Sequence, residues 1–172
     1  MNKHVKAFYQ KFSCLTDVDP EKHYCLLLAH QWALESTQAL DEHCLRLGVS
    51  CELALDNFPY PPRLSVLELV ELFELTCCNK DRDKEGKFYT PETVLQCMCT
   101  DLQFSNATTI FDPSCGAGAF LLVAADRILS ANRGTYEDNL HTLNRCVFGI
   151  DRDSFAVTIC KELLALLALR YA

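Results

Sequence analysis

The residues with the most chemical potential lie between Thr108 and Ala125. A short apolar run, Thr108-Thr109-Ile110-Phe111, breaks at Asp112-Pro113-Ser114. The chain then passes through Cys115-Gly116-Ala117-Gly118 into a long apolar segment. A buried strand, a tight glycine turn and a helix are the simplest structure for that order of residues. Glycine has no Cβ, so a ligand can come close to the backbone at such a turn. The first N–H groups of the helix have no partner inside the helix, and the helix dipole adds partial positive charge there. A corner of this kind holds a carboxylate, a phosphate or a ribose. The plain alternative is a turn that only joins strand to helix. The dinucleotide fingerprint G-x-G-x-x-G is not completed, because Leu121 stands in the third glycine position.

Two other stretches carry related chemistry. In Gly86-Lys87-Phe88-Tyr89-Thr90-Pro91-Glu92-Thr93-Val94, Thr90 is placed to cap a helix, Pro91 to occupy its first position and Glu92 to complement its dipole. An ordinary helix start would use the same residues. In Cys146-Val147-Phe148-Gly149-Ile150-Asp151-Arg152-Asp153, a short apolar strand ends in an acid. An acid in that place can accept hydrogen bonds from a ribose diol, as in dinucleotide folds. A solvent-facing carboxylate or a helix cap is the alternative for Asp151, although Asp153 or Ser154 is better placed to cap the helix that follows.

Asp112-Pro113-x-x-Gly116-x-Gly118-x-Phe120 resembles the first S-adenosylmethionine motif of the class I amino-methyltransferases. It is most similar to that of the N6-adenine DNA methyltransferases, including type I modification subunits and type IIG enzymes. The 86–94 segment resembles the family's G-x-F/Y-x-T-P-x-x-V, which lies just ahead of the first motif. The family also has an acid in the place of Asp151. The resemblance implies S-adenosyl-L-methionine as cofactor. It implies Phe88, Tyr89, Thr90 and Pro91 at the methionine end, and Ser114, Cys115, Gly116 and Gly118 in the turn beneath. It further implies that Asp112 holds the amino-acid end and Asp151 the ribose. Valine at Gly118 is then expected to block cofactor while leaving the helices largely formed.

The resemblance covers about residues 64 to 172 and only the cofactor half of the family's fold. The expected fold class is α/β: an N-terminal helical region over 1–62, then over 63–172 the first part of a Rossmann-like, doubly wound methyltransferase sheet. A full class I sheet has about seven strands; about two are recognisable here. The family's catalytic tetrapeptide, D/N/S-P-P-Y/F/W, is absent. Asn57-Phe58-Pro59-Tyr60 has phenylalanine for the first proline and precedes the cofactor motif, so it reads as a rigid linker. No catalytic residue is assigned. Three readings remain: the S-adenosylmethionine-binding part of a DNA adenine-N6 methyltransferase of restriction–modification type, inactive alone; a truncated relative or subunit acting as a non-catalytic interaction module; or a methyltransferase for another amino group, on protein or small molecule.

Composition narrows the partners. The net charge of −7 argues against this chain holding DNA alone, because phosphate contacts need Lys and Arg. DNA is expected to be met through the complete enzyme or a partner subunit, and the remaining catalytic half or partner chain is the other expected partner. Hydrophobic residues make up 49% of the chain, enough for a packed core. The N-terminus does not read as a signal peptide and no run is long enough to span a bilayer, so a cytoplasmic protein without a membrane partner is expected. The 11 cysteines are then reduced thiols. Cys77-Cys78 and Cys97-x-Cys99 lack the spacing of a metal pair, so no metal is assigned.

Helices are expected over 3–14, from Asp19-Pro20-Glu21 to about Leu47 before Gly48, over 64–78, 91–102 and from the glycine corner to about Asn132. Gly134 to Asn144 reads as a polar insertion, partly helical. A last helix from Ser154 to about Arg170 is apolar nearly all round, which calls for burial on more than one side.

Overall fold

The computed structural model describes residues 6, 9–10, 19–38, 40–50, 63–77, 90–105, 107–131 and 134–172. They belong to two compact units, residues 1–88 and 89–172. The proline-rich break at 57–62, the charged loop at 79–87 and most of the helix expected over 3–14 lie outside the described residues.

In the first unit, helix α1 runs Pro20–Ala33. Asp19 caps it, its Oδ1 accepting the Glu21 N–H at 3.1 Å, and proline occupies the first turn. The single helix expected to reach Leu47 is two. The chain turns after Ala33, where the Glu35 and Ser36 N–H groups both donate to the Trp32 carbonyl, and α2 follows at Leu40–Arg46. Ser36 accounts for the break: its hydroxyl pairs with His43 Nε2 at 2.7 Å, a bond that a straight helix does not offer. Gly48, at φ +70°, ends α2 as expected, with the Val49 N–H reaching the Cys44 carbonyl at 2.9 Å. Helix α3, Val66–Cys77, starts at a reciprocal cap between Ser65 and Glu68. The core of this unit includes Tyr24, Leu27, Leu28, Leu69, Leu72 and Phe73. The Tyr24 ring meets Phe73 edge-on, and its hydroxyl donates to the Leu69 carbonyl at 2.7 Å, so the buried phenol is satisfied.

The second unit begins with α4, Glu92–Cys99. Its cap is Pro91 and not Thr90: the Pro91 carbonyl accepts from Val94 and Leu95, and Pro91 has extended ψ. Strand β1, Ile110–Asp112, leads through the glycine corner into α5, Ala119–Ala131. The polar stretch after it is a complete helix, α6, Tyr136–Cys146. Thr135 and Asp138 cap each other's backbone N–H groups, which nucleates a helix of few apolar residues. Strand β2, Val147–Gly149, pairs parallel with β1 in the register Ile110↔Val147, Phe111↔Phe148, Asp112↔Gly149. Helix α7, Ser154–Arg170, is capped by Asp153.

Side chains alternate across the two strands. Ile110 and Val147 pack toward Cys115, Leu121 and Cys160. Phe111 and Phe148 point the other way and are 58% and 45% exposed, as is Ile150 at 57%. Helix α5 packs on both strands, and α7 packs on α5 and α6. Asn139, fully buried, donates to the Ala168 carbonyl at 3.0 Å and fastens α6 to α7. Every apolar side chain of α7 is buried or half-buried. The described residues therefore form an α-rich fold with a small parallel sheet, and none of their helices is long and apolar enough to cross a membrane.

Candidate functional site

The parallel register places the end of β1 beside the end of β2, so the two loops leaving the strands meet. The ladder continues into them: the Ile150 N–H donates to the Asp112 carbonyl and the Cys115 N–H to the Ile150 carbonyl, both at 3.0 Å. Asp112 closes its own turn, Oδ1 accepting the Ser114 N–H at 3.0 Å. Asp151 reaches across from β2, its Oδ2 accepting the Gly116 N–H at 2.9 Å. Its other oxygen accepts the Asp153 N–H at 2.9 Å. Asp112, Ser114, Cys115, Gly116, Gly118 and Asp151 are thus brought into one corner.

The two glycines serve different ends. Gly116 sits at φ +51°, and a Cβ there would enter open space. Gly118 sits at φ +90°, is buried, and a Cβ there would collide with the Cys160 thiol of α7. Gly116 leaves room for a ligand; Gly118 lets the start of α5 lie against α7. Valine at 118 would have to displace the Cys160 thiol, a contact between helices that the expectation for this substitution does not include. Gly149 is constrained in the same way by Leu121 and Cys115, at 2.7 and 2.9 Å from an added Cβ.

Cys115 is 7% and Cys160 4% exposed. Burial, then the charges of Asp112 and Asp151, push the Cys115 thiol above its ordinary range. Burial first, and Cys115 second, push Cys160 up to about 12. Both shifts favour the neutral thiol, which suits buried packing groups. The role of Cys160 was not apparent from the sequence. The readable signal was only a small residue on α7, and which residue meets Gly118 depends on how that helix is rotated.

Thr90 and Pro91 are exposed at the start of α4. The hydrogen bonds that join the corner to Asp151 do not reach them. Helix α4 is tied instead to α5, where Arg127 donates to Gln96 at 3.1 Å. Phe88 and Tyr89 lie outside the described residues. A cavity of about 230 Å³ opens among Leu140, Leu143, Val147, Val157 and Leu164, with Asn144 and Lys161 as its polar groups. Cys115 of the corner also lines it, with Gly149 and Cys160, whereas Asp112 and Asp151 do not. Among the described residues, no cluster of His, Cys, Asp and Glu could hold a metal ion.

A family model, the N-6 DNA methylase, matches residues 70–171, which include the corner, both strands and Asp151. The chain belongs to the N-6 DNA methylase family. A curated relative, the type I restriction enzyme EcoEI methylase subunit of Escherichia coli, is 32% identical over 75 residues, 44% of this chain and 15% of the relative. A solved structure from Vibrio vulnificus, described as the modification subunit of a type I restriction enzyme, is similar with a TM-score of 0.45 and 27% identity. That likeness covers 63% of this chain and 23% of the other. This N-6 DNA methylase chain therefore spans a small part of the length of the proteins it matches.

Proposed function

We propose that the chain is the S-adenosylmethionine-binding part of a DNA adenine-N6 methyltransferase of restriction–modification type. The observation that carries the reading is the meeting of Asp112, the open Gly116 and Asp151 in one corner, within a stretch that matches the N-6 DNA methylase family. The corner suits this cofactor. Open space at Gly116 admits a ligand against the backbone, and the start of α5 offers N–H groups to a carboxylate. Each Asp151 oxygen accepts one N–H and retains a lone pair for a ribose hydroxyl.

In this reading Asp151 binds the ribose, Asp112 and the first turn of α5 orient the amino-acid end, and Phe88, Tyr89, Thr90 and Pro91 close the methionine end. The cofactor portion begins near residue 63, and its two strands are the first of a doubly wound sheet. When bound, S-adenosylmethionine supplies a methyl group activated by a sulfonium. The chain's own contribution is position, which converts methyl transfer into an intramolecular problem. DNA and the target adenine are met through the rest of the enzyme or a partner subunit, consistent with the chain's acidic balance.

Calorimetry with S-adenosylhomocysteine tests the reading. The chain should bind, and Asp151→Ala should weaken binding by about 1–3 kcal/mol, the scale of charge-assisted hydrogen bonds. Equal affinity in the variant removes Asp151 from the site. A second reading, a non-catalytic interaction module, is favoured by one observation: Phe111, Phe148 and Ile150 expose one apolar face of the sheet.

A further inference from the structure

We infer that Asp151 is a positioning residue for the glycine corner: its carboxylate clasps the Gly116 N–H and ties the corner to the start of α7 before any ligand arrives. The inference rests on the cofactor reading only for what the corner holds; the clasp is a property of the ligand-free chain.

Five observations carry it. Gly116 has left-handed backbone, φ +51°, is half-buried and lies in neither strand nor helix. A backbone donor withdrawn from water needs an acceptor, and here a side chain provides it. The bond to Asp151 Oδ2, at 2.9 Å, spans 35 residues of sequence, so it is a tertiary contact and not part of the local turn. The opposite oxygen of Asp151 is held at the same distance by the Asp153 N–H, which fixes the carboxylate's orientation. Asp153 in turn accepts from Phe155 and Ala156 at 3.1 Å each and caps α7. One run of hydrogen bonds therefore links Gly116 to the α7 N-terminus. The neighbouring backbone bonds, Cys115 to Ile150 and Ile150 to Asp112, hold the flanks of the corner and leave position 116 to the carboxylate. A ligand with adjacent hydroxyls would meet an acceptor already oriented, which reduces the ordering cost of binding.

The test is amide hydrogen exchange on the full 172-residue chain without ligand, comparing wild type with Asp151→Ala and Asp151→Asn. Asp151→Ala should speed exchange of the Gly116 amide by about tenfold or more, while the α5 interior, Leu122 to Leu129, changes by less than about twofold. Asp151→Asn retains one acceptor oxygen and should give an intermediate rise; it decides the matter if the alanine variant does not fold. An unchanged Gly116 rate, or an equal acceleration throughout α5, overturns the clasp. S-adenosylhomocysteine affinity of the same variants separates the two claims. Faster exchange with unaltered affinity sustains the clasp and overturns the ribose role. Lost affinity with unaltered exchange does the reverse.

Discussion

A side chain at Gly116 would project into open space, whereas one at Gly118 would meet the thiol of Cys160. The two positions should therefore fail differently. Gly116→Ala places a Cβ in left-handed backbone and should cost about 1–2 kcal/mol in thermal denaturation, with folding retained. Gly118→Ala adds a clash to a similar strain and should cost more. In a Cys160→Ala background the sulfur is gone, so the cost of Gly118→Ala should fall; equal costs in both backgrounds would show that Cys160 does not crowd position 118. The residues of the corner were legible as types at short spacing: Asp112 and the glycines lie within one turn, and Asp151 ends an apolar run. The bond from Gly116 to Asp151 was not, since the resemblance implied a ribose partner for that acid and left its backbone partner unstated.

Helices are legible in the sequence where their ends carry a local signal. Asp19-Pro20, Gly48 and Asp153 mark boundaries through their own side chains or backbone, and those boundaries stand. The break after Ala33 was not legible, because it depends on Ser36 finding His43 across a turn. Helix α6 is only partly legible in the sequence, because its stability begins in a cap and not in an apolar stripe. Thr135→Ala should lower stability by about 1 kcal/mol, measured by denaturant unfolding. The first unit should also respond to pH. Burial holds His30 below the ordinary histidine range, and burial outweighs the opposing pull of Asp19 to do the same to His23. A histidine whose folded value is depressed takes its proton more readily when unfolded. Stability is then full at neutral pH and declines as pH falls through about 6.5, the unfolded value, toward the lower folded values. The melting temperature should be lower at pH 5.5 than at pH 7.5, and His30→Gln should shrink that difference.

At the scale of the whole molecule, association depends on which apolar side chains stay exposed, and among the described residues these include Leu45, Met98, Phe111, Phe148 and Ile150. The open edge of the two-stranded sheet and helix α7, apolar on nearly all faces, are both expected from the sequence to favour association; the apolar residues of α7 are buried or half-buried, and the helix packs on α5 and α6. The exposed apolar groups of the second unit's sheet are instead Phe111, Phe148 and Ile150. Light scattering should show self-association of the chain, reduced by Phe111→Thr with Phe148→Thr, which keep strand propensity and remove apolar area. A monomeric wild type would refute this. Methyl transfer to adenine-containing DNA by these 172 residues alone should be undetectable, because they contain no D/N-P-P-Y tetrapeptide; turnover would return attention to Asn57-Phe58-Pro59-Tyr60. The parallel pairing of β1 with β2 has a further, kinetic consequence. The strands are only three residues long, and both α5 and α6 lie between them in the chain. Closing so long a segment costs entropy that so short a ladder cannot recover alone. Helices form in microseconds, while non-local strand pairing is slower. The corner and its acid are therefore expected to come together only after α5 and α6 have docked, so that the glycine corner is among the last parts of this unit to exist during folding.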